Sequence, residues 1–162
     1  MRSALRDVLR ERYSYRCGYC GVREADAGAE LTIDHFQPRA HGGSDEPDNL
    51  VYCCHACNEF KGDWWSPQEE RRILHPLDDD MGEHVREAED GVLHALTATG
   101  AFHLHRLNLD RHGLVAYRRE RRLLESVRAA QEELLERVAQ NEQQLQRLQA
   151  QIEILSRTAW NE

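Results

Sequence analysis

Apolar residues recur at intervals of three and four along the last third of the chain. Neither proline nor glycine occurs between Leu114 and Ser156, so nothing in that stretch interrupts a helix. When Leu124 is taken as position a of a heptad, eight of the ten a and d positions from there on are apolar. In chain order the ten positions are Leu124, Val127, Gln131, Leu134, Val138, Asn141, Leu145, Leu148, Ile152 and Leu155. The pattern predicts a long coiled-coil helix over residues 114–162.

This helix would leave its apolar stripe in water unless a partner covered it. We expect a homodimer in the first place, with another coiled-coil protein or the chain's own domain as the alternative partners. Gln131 and Asn141 interrupt the apolar seam, and polar seam residues of this kind specify register or partner at a cost in stability.

Shorter apolar patterns predict the elements of the first 65 residues. Leu5, Val8 and Leu9 form a stripe at helical spacing, and the stretch from Leu31 to Phe36 alternates and is rich in β-forming residues. The predicted elements are a helix over 3–16, a strand over 31–36, a polar loop over 38–48, a return strand over 49–53 and a helix that begins at Cys54 or His55.

The middle of the chain carries weaker signals. Residues 66–82 contain prolines and lack a periodic pattern, which predicts a linker. Residues 84–97 are predicted to form a hairpin that turns at Asp90-Gly91, followed by a short helix. We therefore expect a chain of the α+β class. Its predicted parts are a domain over 1–65, a hairpin and short-helix extension over 66–113, and the coiled-coil helix over 114–162.

The composition says more about the cellular location of the chain than about its function. The 162 residues carry a net charge of -8, whereas nucleic-acid-binding proteins usually show a basic footprint. The acidic balance does not exclude a nucleic-acid partner, because a bound metal ion adds positive charge that a count of side chains omits. Arg2, Arg6 and Arg10 interrupt the N-terminus before an apolar run develops, and no stretch is apolar enough to span a membrane. We expect a soluble, cytoplasmic protein.

Four of the five cysteines fall in two Cys-x-x-Cys pairs. The pairs are Cys17 with Cys20, and Cys54 with Cys57. In a reducing compartment two such pairs favour a metal over disulfides, and four thiolates close a tetrahedral zinc site. We therefore predict structural zinc at these residues. A redox-active pair, or His55 in place of one thiolate, is the alternative, and Cys53 is expected to be a buried strand residue.

Asp34, His35 and Asn58 are the candidates for chemistry. Adjacent residues of a flat strand point to opposite faces, but a strand that ends near His35 allows both Asp34 and His35 to approach one site. A carboxylate oxygen and an amide oxygen suit Mg²⁺ or Mn²⁺, and a neutral imidazole is a suitable general base for a water molecule. Taken alone, Asp34 and His35 are also compatible with ordinary surface residues.

A longer motif resembles the HNH endonuclease family with its ββα-metal fold, over roughly residues 15–65. Its fixed points are Cys17, Cys20, Asp34, His35, Pro38, Gly42, Gly43, Asp48, Asn49, Leu50, Cys54, Cys57, Asn58, Lys61 and Gly62. The resemblance implies that His35 is the general base and that Asp34 binds the catalytic metal. It further implies that Asn49 orients the base and braces the hairpin, and that the reaction is phosphodiester hydrolysis.

Asn58 departs from the commonest form of that motif, in which this helical position is a His that binds the catalytic metal. By resemblance the chain is an HNN-type variant, and the loss of a nitrogen ligand predicts that Mg²⁺ or Mn²⁺ supports activity better than Zn²⁺ or Ni²⁺. Lys61, three residues beyond Asn58, and Arg39 in the loop are the candidates for contacts with nucleic-acid phosphates.

Two functions fit these residues. The first is a metal-dependent DNA endonuclease in which His35 activates water, favoured by the intact Asp34-His35 pair together with Asn49. The second is a zinc-stabilised nucleic-acid-binding or adaptor module that does not cut and works through its coiled coil. The acidic charge and Asn58 favour the second. A metal-dependent cleavage assay distinguishes the two.

Overall fold

The described part of the chain folds into helices and two separate two-stranded hairpins. A computed structural model describes residues 2–159, with side chains for residues 4–154 and 156. The elements are α1 (Arg2–Arg12), α2 (Glu24–Ala27), β1 (Thr32–His35), β2 (Leu50–Cys53), α3 (His55–Lys61), α4 (Met81–His84), β3 (Val85–Glu87), β4 (Leu93–Ala95), α5 (Ala98–Arg106) and α6 (His112–Ala159). Two compact units result, Met1–Arg119 and Glu120–Glu162. The predicted mixture of helices with small hairpins and a long C-terminal helix is confirmed.

The first hairpin pairs β1 and β2 in antiparallel register, with Asp34 opposite Val51 and His35 opposite Leu50. Every residue of β2 is buried, whereas β1 is half-buried along its length. The helix α1 covers β2, and the phenol of Tyr13 donates to the carbonyl of Leu50 at 3.3 Å. β1 ends at His35, one residue before the predicted end of the strand, so the two candidate residues lie where the strand gives way to a loop.

Residues 66–82 do not form the predicted free linker. Ile73, Leu74 and His75 are buried, and the backbone N–H of Leu74 donates to Nδ1 of His103 on α5 at 3.0 Å. Three consecutive buried residues in an extended segment leave no periodic signal, which is why the pattern did not reveal their packing. The segment is therefore part of the folded body of the first unit.

The extension beyond residue 65 completes the core of the hairpin region. The buried apolar residues of this core are Leu9, Tyr13, Cys17, Tyr19, Leu31, Leu50, Val51, Tyr52, Cys53, Cys57, Ile73, Leu107, Leu109 and Leu114. Its last four members follow α3 in sequence, three of them from the turn between α5 and α6 and the start of α6. The second hairpin, β3 with β4, turns around Asp90-Gly91 as predicted.

The C-terminal unit is a single stretch of α6, a helix of 48 residues in all. The apolar a and d side chains within the described part of this helix are 45% to 66% exposed. Leu155, the last predicted seam residue, lies outside the described side chains. The long helix is thus present, and its pairing as a coiled coil stays a prediction. None of the described helices is long and apolar enough to cross a membrane.

His103 gives the first unit a predictable dependence on pH. Its ring is fully buried, Nδ1 accepts the Leu74 N–H, and burial lowers the pKa of the imidazole to about 4. The unfolded chain binds a proton at the ordinary value of 6.5, so the native state loses stability as the pH falls from 6.5 to 4. This one group accounts for a loss on the order of 3 kcal/mol.

Urea unfolding of the parent and of His103→Gln at several pH values measures this effect. The destabilisation caused by the substitution is expected to be largest at pH 7 and to shrink by most of that amount at pH 4. His105→Gln, at an exposed position of the same helix, is the matched control. A difference between parent and His103→Gln that stays constant from pH 7 to pH 4 would contradict the assignment.

Candidate metal centre and active site

The four cysteines of the two pairs converge on one point. Their Sγ atoms all lie within 4.8 Å of one another, and those of Cys20 and Cys54 are 3.8 Å apart. A tetrahedron of Zn–S bonds about 2.3 Å long has edges of about 3.8 Å. Cys17, Cys20, Cys54 and Cys57 therefore form a cluster that fits one metal ion such as zinc, and we call it the four-cysteine cluster.

The first pair lies in a tight turn that is pressed against the hairpin. The N–H of Gly21 donates to the carbonyl of Cys17 at 2.8 Å and closes the turn. A side chain at Gly18 would begin 2.7 Å from a ring carbon of Tyr13 and 2.9 Å from a methyl group of Val51. Glycine at position 18 therefore lets the turn approach the core closely enough to bring its two sulfurs to the cluster.

The second pair begins the helix α3. Cys54 is the N-cap, and its Sγ accepts the backbone N–H of Cys57 at 3.5 Å. One sulfur thus caps the helix and belongs to the cluster as well. Cys53 is buried in β2 and is not part of the cluster, as the sequence predicted.

The carboxylate of Asp34 is held between the first cysteine turn and the end of α3. The phenol of Tyr19 donates to Oδ2 at 2.9 Å, and the ammonium of Lys61 lies 3.0 Å from the same oxygen. The Asp34 side chain is 10% exposed. Burial raises the pKa of this carboxyl group, while the Lys61 ammonium and the Tyr19 hydroxyl act in the opposite direction.

Lys61 occupies the interior rather than the surface. Its side chain is 1% exposed, and the ammonium also donates to the carbonyls of His35 at 2.7 Å and Gly62 at 3.3 Å. The ammonium therefore links the end of β1 to the end of α3. It has no exposed surface for the phosphate contact that the sequence suggested, because α3 packs directly over β1.

His35 is paired with a loop residue that the sequence analysis did not single out. Nε2 of His35 lies 2.7 Å from Oδ1 of Asp45, and the guanidinium of Arg39 binds both oxygens of the same carboxylate. The Arg39 fork, assisted by His35, holds the pKa of Asp45 below its ordinary value. Asp45 is therefore ionised at neutral pH and accepts hydrogen bonds only. The hydrogen of a neutral His35 ring is thus on Nε2, which leaves the lone pair on Nδ1.

Asn49 braces the loop that connects the two strands. Its amide Oδ1 accepts the N–H of Gln37 at 2.9 Å, and Nδ2 donates to the carbonyls of Gln37 at 3.0 Å and Ser44 at 2.8 Å. A Cβ at Gly43 would overlap the carbonyl of Gln37. These hydrogen bonds agree with the bracing role implied for Asn49. The Asn49 side chain contacts the backbone of the loop rather than the ring of His35.

Asn58 is half-buried on α3, one turn before Lys61 and on the same face of the helix. Lys61 reaches Asp34 from that side of the helix. An ionised carboxylate has about four acceptor positions, so Asp34 keeps some capacity for a cation beside its two present partners. Carboxylate and amide oxygens are the ligand types that a hard divalent ion such as Mg²⁺ or Mn²⁺ prefers. The Lys61 ammonium already lies 3.0 Å from one of the Asp34 oxygens.

Sequence reasoning missed three residues of these sites. Tyr19 lies inside a Cys-x-x-Cys turn, Asp45 lies ten residues after His35, and Arg111 lies far outside the motif, with Nη2 3.5 Å from the Sγ of Cys57. The available signal for Tyr19 was its position between the two cysteines of a metal-binding turn. Asp45 and Arg111 are brought in by the tertiary fold and leave no local pattern.

The pair of Lys61 and Asp34 predicts a double-mutant result. Lys61→Met leaves a buried carboxylate without its cation, and the free energy of unfolding is expected to fall by about 3 kcal/mol. Combining Lys61→Met with Asp34→Asn removes the uncompensated charge and should recover most of that loss. Urea denaturation in the presence of zinc measures both.

Arg39→Met, which removes an exposed cation of the same region, is the control. A Lys61→Met protein as stable as the parent would show that Asp34 does not depend on the buried ammonium.

Known proteins match part of the chain. Residues 17–63 match the HNH endonuclease family. A stretch of 95 residues is 32% identical to the CRISPR-associated endonuclease Cas9 of Corynebacterium diphtheriae. The alignment covers 56% of this chain and 8% of that protein, so the chain spans less than a tenth of the curated relative that it matches. No solved structure matches the chain.

The matched segment begins at Cys17, the first residue of the four-cysteine cluster, and ends two residues after Lys61. It therefore contains the paired carboxylate of Asp34, the imidazole of His35 and the loop that Asn49 braces. Residues 17–63 of this chain therefore match an HNH endonuclease domain.

Proposed function

We propose that this chain is a metal-dependent endonuclease that hydrolyses phosphodiester bonds in DNA, with His35 as the general base. The observation that carries the proposal is the 2.7 Å pairing of His35 Nε2 with Asp45, at the strand end next to Asp34 in the family-matched segment. Nδ1 then accepts the proton of the attacking water, and Asp45 stabilises the imidazolium that results.

The candidate ligands of a catalytic ion are Asp34 and Asn58. A divalent ion bound there would stabilise the negative charge that develops on the phosphate and on the leaving oxygen. One carboxylate and one neutral amide hold such an ion weakly, so we expect DNA to raise its occupancy through a phosphate oxygen. Both donors are hard oxygen atoms, which favours Mg²⁺ or Mn²⁺ over Zn²⁺ or Ni²⁺.

The two cations proposed for DNA contacts now have different roles. Arg39 has a side chain 67% exposed at the loop beside His35, and its planar fork suits a phosphate as well as it suits Asp45. We keep Arg39 as a candidate for binding the DNA backbone. Lys61 is assigned to holding Asp34, because its ammonium is buried.

A second function is favoured by a specific contact. The Lys61 ammonium lies 3.0 Å from Asp34, the carboxylate that a catalytic ion needs, and the helical ligand is Asn58 rather than His. Both features would suit a zinc-stabilised module that binds nucleic acid without cutting it and acts through its coiled coil. Such a module binds DNA and leaves it intact in every divalent metal.

A plasmid and oligonucleotide cleavage assay separates the two functions. The zinc-loaded chain is expected to cut with Mg²⁺ or Mn²⁺ and to cut less with Ni²⁺ or added Zn²⁺. His35→Ala should lower the rate by about a hundredfold or more, and Asp45→Asn by about a hundredfold, because it no longer fixes the tautomer of His35.

Zinc content and circular dichroism show whether the variants remain folded, and His94→Ala, an exposed histidine of β4, is the matched control. Cleavage by His35→Ala at the parent rate would remove His35 from the mechanism. Metal-independent binding without cleavage by the parent would favour the second function.

We also propose that the chain forms a parallel homodimer through residues 124–155 of α6. In a parallel pair in register, each seam residue meets its own copy, so Gln131 and Asn141 each pair with an identical amide that both donates and accepts. Arg137 at position g then faces Glu142 at position e of the second copy, which gives one opposite-charge pair on each side of the seam. The exposed apolar side chains supply the buried surface.

Light scattering after size-exclusion chromatography tests the dimer. The parent is expected at twice the 18.8 kDa of one chain. Leu134→Glu, which places a charge in the apolar seam, should shift it to the monomer, whereas Gln143→Glu on the opposite face of the helix should not. A parent that is still monomeric at tens of micromolar would contradict the proposal, because a stable dimer has a dissociation constant below about that concentration.

A further inference from the structure

An arginine from the extension contacts the four-cysteine cluster. Nη2 of Arg111 lies 3.5 Å from the Sγ of Cys57 and 3.8 Å from the Sγ of Cys54. Both distances lie within the range of a hydrogen bond from a charged N–H group to sulfur. The contacted cysteines are the two that begin α3.

Three further contacts hold the guanidinium of Arg111 in place. Nη1 donates to the carbonyls of Leu107 at 3.3 Å and Asn108 at 3.1 Å, and the group stacks over the ring of Phe60 at 5.5 Å. Asn108 adopts a left-handed backbone conformation with φ 47°, which asparagine tolerates better than most residues. The turn between α5 and α6 therefore presents the arginine to the sulfurs with its fork already oriented.

The charge of a filled cluster explains why an arginine belongs there. Four thiolates around Zn²⁺ leave a net charge of about -2. Cys17 and Cys57 are buried, so water screens only part of that charge. A guanidinium beside two of the sulfurs removes half of it and donates to lone pairs that the metal leaves free. Removal of groups that hydrogen-bond to metal ligands in this way typically lowers metal affinity by about 10- to 100-fold.

We propose that Arg111 donates hydrogen bonds to cysteine ligands of the metal in the four-cysteine cluster and thereby slows the release of that metal. The residue lies 48 positions beyond the end of the family-matched segment, which stops at residue 63. Retention of the metal is thus a property of the domain together with its extension. This inference does not depend on whether the chain cuts DNA.

Release of zinc from the full-length, zinc-loaded chain tests the proposal. A chelator in excess removes the metal, and a zinc-responsive dye records the rate. Arg111→Met keeps the length of the side chain but removes its charge and hydrogen bonds, and release is expected to become about tenfold faster or more. Arg111→Lys keeps the charge without the fork, so its rate should fall between those of the parent and Arg111→Met.

Arg106→Met is the matched control, because Arg106 also belongs to the extension but binds the carbonyl of Lys61 and stacks on Trp64 instead of contacting sulfur. It should release zinc at the parent rate. Release from Arg111→Met within twofold of the parent, or equal acceleration by Arg106→Met, would overturn the proposal.

The cobalt form gives a second readout if Arg111→Met does not fold. In Arg111→Lys loaded with Co²⁺, weaker hydrogen bonds leave the sulfurs richer in electrons. The sulfur-to-metal charge-transfer band is then expected at longer wavelength than in the parent. An unchanged band would show that the guanidinium does not act on the metal ligands.

Discussion

The convergence of four sulfur atoms is the constraint on which the rest of the first unit depends. The strands β1 and β2 have four residues each and α3 has seven, and elements this short are not stable by themselves. A metal bound to all four cysteines ties the turn before β1 to the helix after β2. Both tied elements then reach the same carboxylate: Tyr19 comes from the turn, and Lys61 comes from the helix. A metal bound to the four cysteines would therefore help to fix the position of Asp34, although Asp34 is not one of its ligands.

The buried ion pair at Asp34 has two opposite effects on the proposed chemistry. The ammonium compensates a carboxylate that is nearly out of contact with water, which stabilises the fold around it. The same ammonium lies where it competes with a divalent ion for the carboxylate oxygens. In the proposed mechanism, such a site would hold its catalytic ion less tightly than one in which the acid is free. DNA would then supply additional oxygen ligands for that ion.

The parts that could be predicted from the sequence are those with local signals. The two Cys-x-x-Cys spacings predicted the cluster, the alternation around Ile33 predicted β1, and the helix start at Cys54 or His55 agrees with the N-cap at Cys54. Burial of residues 73–75 left no signal, because it depends on α5 packing against an irregular segment. The role of Lys61 was misjudged for a related reason: helical spacing gave its face correctly, but the burial of that face is a tertiary property. Asp45 needed the closed shape of the loop, which Asn49 and Gly43 create together.

The contact of Arg111 with the cluster also bears on the order in which the chain is made. Cys57 precedes Arg111 by 54 residues, so during synthesis all four sulfurs leave the ribosome well before the arginine does. Under the role proposed for Arg111, a nascent chain would bind its metal before that arginine reaches the cluster. When the turn between α5 and α6 later folds, Arg111 contacts the sulfurs of Cys54 and Cys57. The cysteines would thus bind the ion during synthesis, and a later stretch of the sequence would retain it once the chain has folded.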